Sequence, residues 1–189
     1  YRPTNGHISA CTNSALQLVD GQFVTFLDHD DKLHPHALAT IASYLNEDPD
    51  IEILYSDEDK ITPDGNRREP YFKPDWNPDL LLSQNYVCHM TVYNKALIDD
   101  LEGLRVGTEG AQDYDLVLRA SERAANIKHI PHILYHWRAV SGSTALSLDQ
   151  KKYAYDRSKE VVKDALNRRK LEAQVLDTGF GSYHRVRYR

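Results

Sequence analysis

Cysteine and extended apolar stretches are what this sequence has least of. Its two cysteines, Cys11 and Cys88, lie far apart and form no CxxC pair. Neither a zinc knuckle nor a disulfide framework can be built from them, which fits a reducing compartment. The apolar stretches around Phe23 to Leu27 and Ile51 to Tyr55 fall far short of the ~20 residues a membrane helix needs. A basic n-region followed by an apolar h-region is missing and the chain opens at Tyr1 rather than methionine, so we expect a piece of a longer polypeptide. Basic residues are also outnumbered, 23 Lys plus Arg against 28 Asp plus Glu for a formal charge of −5, which makes nucleic acid a poor partner.

What is present is a globular composition, 189 residues of which 41% are hydrophobic, enough for one sizeable core and about one domain. Apolar runs of strand length alternate with helical patterns, without an internal repeat. Ile8, Cys11, Ala15, Leu18 and Val19 recur at helical spacing after the Asn5-Gly6 turn signal. Phe23 to Leu27 is a strand that ends abruptly in Asp28-His29-Asp30-Asp31. Pro35 opens a helix with Leu38, Ile41, Ala42 and Leu45 on one face, and Ile51 to Tyr55 is a second strand running into Ser56-Asp57-Glu58-Asp59-Lys60. Pro63, Gly65, Pro70, Pro74 and Pro78 predict a long surface loop. Beyond it the pattern predicts a strand over Asn85 to Tyr93, a helix over Tyr114 to Ala124, one or two strands over Ile127 to Trp137 broken by Pro131, a helix over Leu148 to Leu166, and an edge strand or linker over Tyr183 to Arg189.

The acidic turn carries the most information. Two carboxylates one residue apart at the exit of a buried strand can aim oxygens at one hard cation, Mg²⁺ or Mn²⁺, that also holds a diphosphate. The alternative is an acidic turn in which one Asp caps the next helix. If Pro35 is the first helical residue the cap is His34, which leaves three aspartates without that role, and like charges crowded together favour a cation. Asp113 and Asp115 fall in the first turn of a helix, either serving a site or complementing the helix dipole. Asp57, Glu58 and Asp59 read by default as a solvated acidic turn in which Lys60 neutralises one of them, with contact to an acceptor or to the metal shell as the sharper alternative. Trp76 either stacks on a sugar ring or anchors its loop, and Arg138, followed by Ser141-Gly142-Ser143-Thr144, suits phosphate oxygens.

The ordered set Asn5-Gly6-His7-Ile8-Ser9, Asn13, Ala15-Leu16, Gly21, Phe26-Leu27-Asp28-His29-Asp30-Asp31, Leu33, Pro35 and Ala37-Leu38 resembles the family 2 glycosyltransferases, whose nucleotide-sugar-binding fold is called GT-A. Tyr55-Ser56-Asp57-Glu58-Asp59-Lys60, Phe72-Lys73-Pro74-Asp75-Trp76, Gln112-Asp113-Tyr114-Asp115-Leu116 and Tyr135-His136-Trp137-Arg138 extend the likeness, toward members that build bacterial surface polysaccharides, to about residue 145. The resemblance implies an α/β fold with a GT-A-like, mostly parallel sheet flanked by helices and incomplete at the N-terminus, where members have a strand and further units that bind the nucleotide base. It implies Asp28 toward the nucleotide, Asp30 toward the metal with Asp31 in support, Asp113 as catalytic base with Gln112 where many members have Glu, and His136 as a further metal or diphosphate contact. A histidine beside Trp137 at a strand end is equally a packed, hydrogen-bonded residue.

The chemistry so implied is transfer of a sugar, with inversion, from a nucleoside diphosphate donor to a hydroxyl of a glycan or lipid-linked acceptor. It would take place in the cytoplasm or at the inner face of the cell membrane, reached peripherally through other parts of the parent protein. Residues 1–146 would be a partial glycosyltransferase domain, and 147–189 a C-terminal helix and a connector, Gly181 to Tyr188, toward a second domain. Two other classes stay open: a metal-dependent phosphohydrolase, since clustered aspartates after a strand also serve phosphoryl chemistry, and a noncatalytic carbohydrate-binding module.

Overall fold

The computed structural model describes residues 3–138, 148–180 and 183–189. In chain order the elements are α1 (His7–Leu16), β1 (Phe23–Thr25), β2 (Lys32–Leu33), α2 (Ala37–Glu47), β3 (Ile53–Ile61), β4 (Arg67–Tyr71), α3 (Pro78–Ser83), β5 (Thr91–Asn94), α4 (Lys95–Asp100), α5 (Gln112–Ser121), β6 (Ile127–Arg138), α6 (Leu148–Arg168), β7 (Ala173–Asp177) and β8 (His184–Tyr188). Six strands form one sheet in the order β1-β5-β3-β6-β2, with β4 added to β3; β7 and β8 form a hairpin.

The centre of the sheet is β3, third of five strands in the order and paired with β4, β5 and β6. On one side β6 runs beside it from Ile53 to Ile61; on the other, β5 covers Ile53 to Tyr55 and β4 covers Glu58 to Ile61. Side chains alternate across it as a strand requires. Leu54 enters a cluster with Ile41, Met90, Leu134 and Tyr135 beneath α2. Ile53 and Tyr55 enter clusters on the opposite face, Ile53 with Leu16 and Leu116, Tyr55 with Leu81, Tyr114 and Val117. The same cluster takes in Val161, Val162, Ala165 and Leu166 of α6, so the C-terminal helix shares this core.

The α/β architecture agrees with expectation, and the sheet within it is mixed rather than mostly parallel. Of the pairings described, β3 with β6 is parallel and the other four are antiparallel. A parallel pair needs a long crossover, which the chain between β3 and β6 supplies with α3 to α5, whereas β4 turns straight back on β3 through Thr62–Asn66. Pro131 does not break β6. Ser56 pairs with Ile130 and Asp57 with Ile133, so the proline sits in a bulge where no ladder bond is asked of it. The stretch Asn85 to Tyr93 is a strand only from Thr91 onward; residues 85–90 are a loop, and that loop forms a wall of the site.

Candidate active site

β1 delivers the chain into a tight turn in which the Asp31 N–H donates to the Asp28 carbonyl at 3.2 Å. A turn of that kind brings residues three apart to one side, so Asp28 and Asp31 converge, while Asp30 lies off with His29, 3.7 Å from its Nδ1. With His89 from the 85–90 loop, Asp28 and Asp31 put one ligand atom each within 4.8 Å of one another. Asp31 is fixed from two directions. The Tyr135 hydroxyl donates to its Oδ2 at 2.5 Å and the Arg138 N–H to its Oδ1 at 2.7 Å. The Arg138 Nε donates to the Asp30 carbonyl at 2.6 Å, and the His89 ring stacks on Tyr135 with centroids 4.7 Å apart. Burial raises the proton affinity of Asp31 against these hydrogen bonds, with Asp28 adding to the rise. Two carboxylates and an imidazole, one carboxylate partly desolvated, fit a divalent cation that would relieve the crowding of negative charge.

A second wall comes from the N-terminus of α5. Asp113 lines the same cleft of about 600 Å³ as Asp28, His89, Asn85 and Cys88. Its Oδ2 accepts from Asn85 Nδ2 at 2.9 Å, and the Cys88 sulfur stands 4.0 Å away. Burial pushes the Cys88 thiol well up, so it is a neutral neighbour and no nucleophile. Asp115 points the other way, fully buried, receiving Arg105 at 2.5 Å and Arg119 at 2.8 Å. The first turn of α5 thus separates one carboxylate for the cleft from one for the core.

Other residues marked by the sequence fall elsewhere. His136 is not gathered with Asp28: neighbouring strand residues face opposite ways, so Tyr135 turns to the acidic turn while the His136 Nδ1 meets Asp59 Oδ1 at 2.5 Å. Asp57, Glu58 and Asp59 are not a solvated turn. β3 runs through them and buries all three, each against a base: Asp57 with His129 at 2.8 Å, Glu58 with Lys73 at 3.0 Å, Asp59 with Arg67 at 2.6 Å as well as His136. Trp76 packs toward Tyr86, ring centroids 6.4 Å apart, which is the loop-anchoring role. Ser141 to Thr144 lie outside the described residues. His89 and Asn85 carry no signal in the sequence, because the buried Tyr86, Val87 and Met90 around them imitate a strand.

The family model for glycosyl transferase family 2 matches residues 1–102, which carry the Asp28–Asp31 turn and His89. The chain belongs to glycosyl transferase family 2. Among curated relatives of this family 2 chain, the O-antigen biosynthesis protein RfbC of Myxococcus xanthus is 43% identical over 142 residues, 75% of this chain and 11% of RfbC. The chain spans at most about a fifth of the curated relatives it matches, the largest share being 19%. Among solved structures, S. aureus TarS in complex with UDP-GlcNAc superposes with a TM-score of 0.62 at 18% identity, covering 88% of this chain and 54% of TarS. The mannosyltransferase PcManGT of Pyrobaculum calidifontis, in complex with GDP-Man and Mn²⁺, gives 0.50 at 12% identity, covering 88% and 53%. These likenesses identify the GT-A fold.

Proposed function

We propose that the chain forms the diphosphate- and acceptor-facing part of an inverting, metal-dependent glycosyltransferase, moving a sugar from a nucleoside diphosphate to a hydroxyl of a glycan or lipid-linked acceptor in polysaccharide biosynthesis. The observation that carries the reading is that Asp28 and His89, two members of a cation-ready cluster, share one cleft with Asp113. Support comes from the O-antigen role in the name of RfbC and from the UDP-GlcNAc and GDP-Man complexes of the two structural neighbours, one of which also holds Mn²⁺.

In this reading Asp28, Asp31 and His89 would hold Mg²⁺ or Mn²⁺, and the cation would supply positive charge to a departing diphosphate. Asp28 stands nearest the nucleotide, Arg138 steadies Asp31 and Asp30 and offers its guanidinium to phosphate oxygens, and Asp30 and His136 support from outside the cluster. Asp113, oriented by Asn85, takes the proton of the attacking hydroxyl, so that one displacement inverts the anomeric carbon without a covalent intermediate. Residues 1–146 act as the partial transferase domain and 147–189 as its closing helix and connector. Among the described residues no helix is long and apolar enough to cross a membrane. The proposal puts the reaction in the cytoplasm or at the inner face of the cell membrane. The full-length protein, incubated with Mn²⁺ and a panel of nucleotide sugars, should release nucleoside diphosphate only when an acceptor is present. Phosphate released from simple esters instead would make it a hydrolase, and neither product would leave a binding module.

A further inference from the structure

We propose that Lys73 is a positioning residue: with Glu58 it clamps the backbone of His89 so that the imidazole stays at Asp28 and Asp31. This rests on the transferase reading above, of which it specifies one part. The Lys73 side chain is completely buried, and an ammonium taken out of water persists only when its three protons are met. All three are: Nζ donates to Glu58 Oε2 at 3.0 Å, to the Val87 carbonyl at 2.7 Å and to the His89 carbonyl. Glu58 closes the ring by accepting the His89 N–H at 3.2 Å. Both backbone polar groups of His89 are therefore held by the two members of one buried ion pair.

The clamp is rooted in the rigid part of the fold. Glu58 belongs to β3, the central strand, and the Lys73 N–H donates to Asp57 Oδ1 of the same strand at 2.9 Å. The His89 ring, stacked on Tyr135, then has little freedom, and Tyr135 is the residue that fixes Asp31. An apolar side chain of similar volume would fill the space as well and avoid the cost of burying a charge, so packing alone does not call for lysine here. Holding a loop histidine against two carboxylates of another loop does, because groups behind a ligand commonly change metal affinity about 10- to 100-fold.

The test uses full-length protein and Mn²⁺ alone, read by electron paramagnetic resonance, together with hydrogen exchange of the His89 amide without metal. Lys73→Met should weaken Mn²⁺ binding by about tenfold or more and speed exchange at His89. The double variant Lys73→Met/His89→Ala should bind no more weakly than His89→Ala, since the lysine acts through the histidine; a merely structural role would add the two losses. Should Lys73→Met not fold, Lys73→Met/Glu58→Gln removes both charges together and is expected to show the same loss. The proposal is overturned if the wild type binds no Mn²⁺, if the folded variant binds as tightly as wild type, or if the losses add in full. Wild type that shows the expected Mn²⁺ pattern yet transfers no sugar would overturn the transferase reading and leave the clamp standing; sugar transfer without that pattern would do the reverse.

Discussion

Asp28 and Asp31 meet because the turn between them is tight, so the proposed cation site draws on residues three apart in Asp28-His29-Asp30-Asp31. Asp31→Asn should accordingly weaken Mn²⁺ binding by about tenfold or more, while Asp30→Asn should change it by less than about threefold; titration of the folded variants by calorimetry distinguishes them. The sequence singled out this turn and Asp113, the proposed base, since both stand at element boundaries where polar residues interrupt apolar patterning. It could not reveal His89 or most partners of Asp57, Glu58 and Asp59, because those pairings join residues 15 to 77 positions apart; only Arg67 with Asp59 is nearer, at eight. A run of acids looks solvated until its bases are seen. Asp115 makes the point at the other wall: it is one position beyond Tyr114 and wholly inside. Asp115→Ala would strand Arg119, and a loss of about 3–5 kcal/mol is expected in urea unfolding.

At the scale of elements, α1 is fastened by a reciprocal pair of hydrogen bonds. Asn13 Nδ2 donates to the Leu104 carbonyl and Leu104 N–H to Asn13 Oδ1, both at 2.8 Å. Gly103 lies directly above at φ +71°, and a Cβ there would fall 2.5 Å from Asn13 Oδ1. Gly103→Ala therefore combines backbone strain with loss of the fastening, and should lower stability by about 2–3 kcal/mol, a melting temperature lower by roughly 5–10 °C. The hairpin of β7 and β8 has a different sensitivity. His184 is buried against Tyr155 and Ser158, and burial lowers its pKa to about 4. The unfolded chain takes up that proton near pH 6.5 and the folded chain does not, so this stability is intact above about pH 6.5 and is lost as the pH falls toward 4. His184→Gln should flatten the fall in melting temperature between pH 6.5 and 4.5. Short elements were the least legible: α3 and α4 are six residues each, although Asn77 and Asn94 cap them with their side chains. Two-residue β2 has no periodicity to detect. Longer elements such as α6 and α2 agreed within a few residues, their buried faces being wide enough to write a period.

For the whole molecule, alternating strands and helices identified the α/β class but not strand direction, since a hairpin and a crossover leave similar apolar runs and differ in what lies between. The mixed sheet matters because β1, β6 and the 85–90 loop leave it at one place, and Asp28, Tyr135 and His89 meet there. Sugar transfer at that place is tested most directly by Asp113→Asn in the full-length protein, with acceptor-dependent release of nucleoside diphosphate measured beside donor affinity in Mn²⁺. Removing the proton acceptor without changing shape should lower kcat by roughly 10²-fold or more and leave the donor Kd and the melting temperature nearly unchanged. Full transfer activity in folded Asp113→Asn, with activity lost instead in a folded Asp115→Asn, would contradict it.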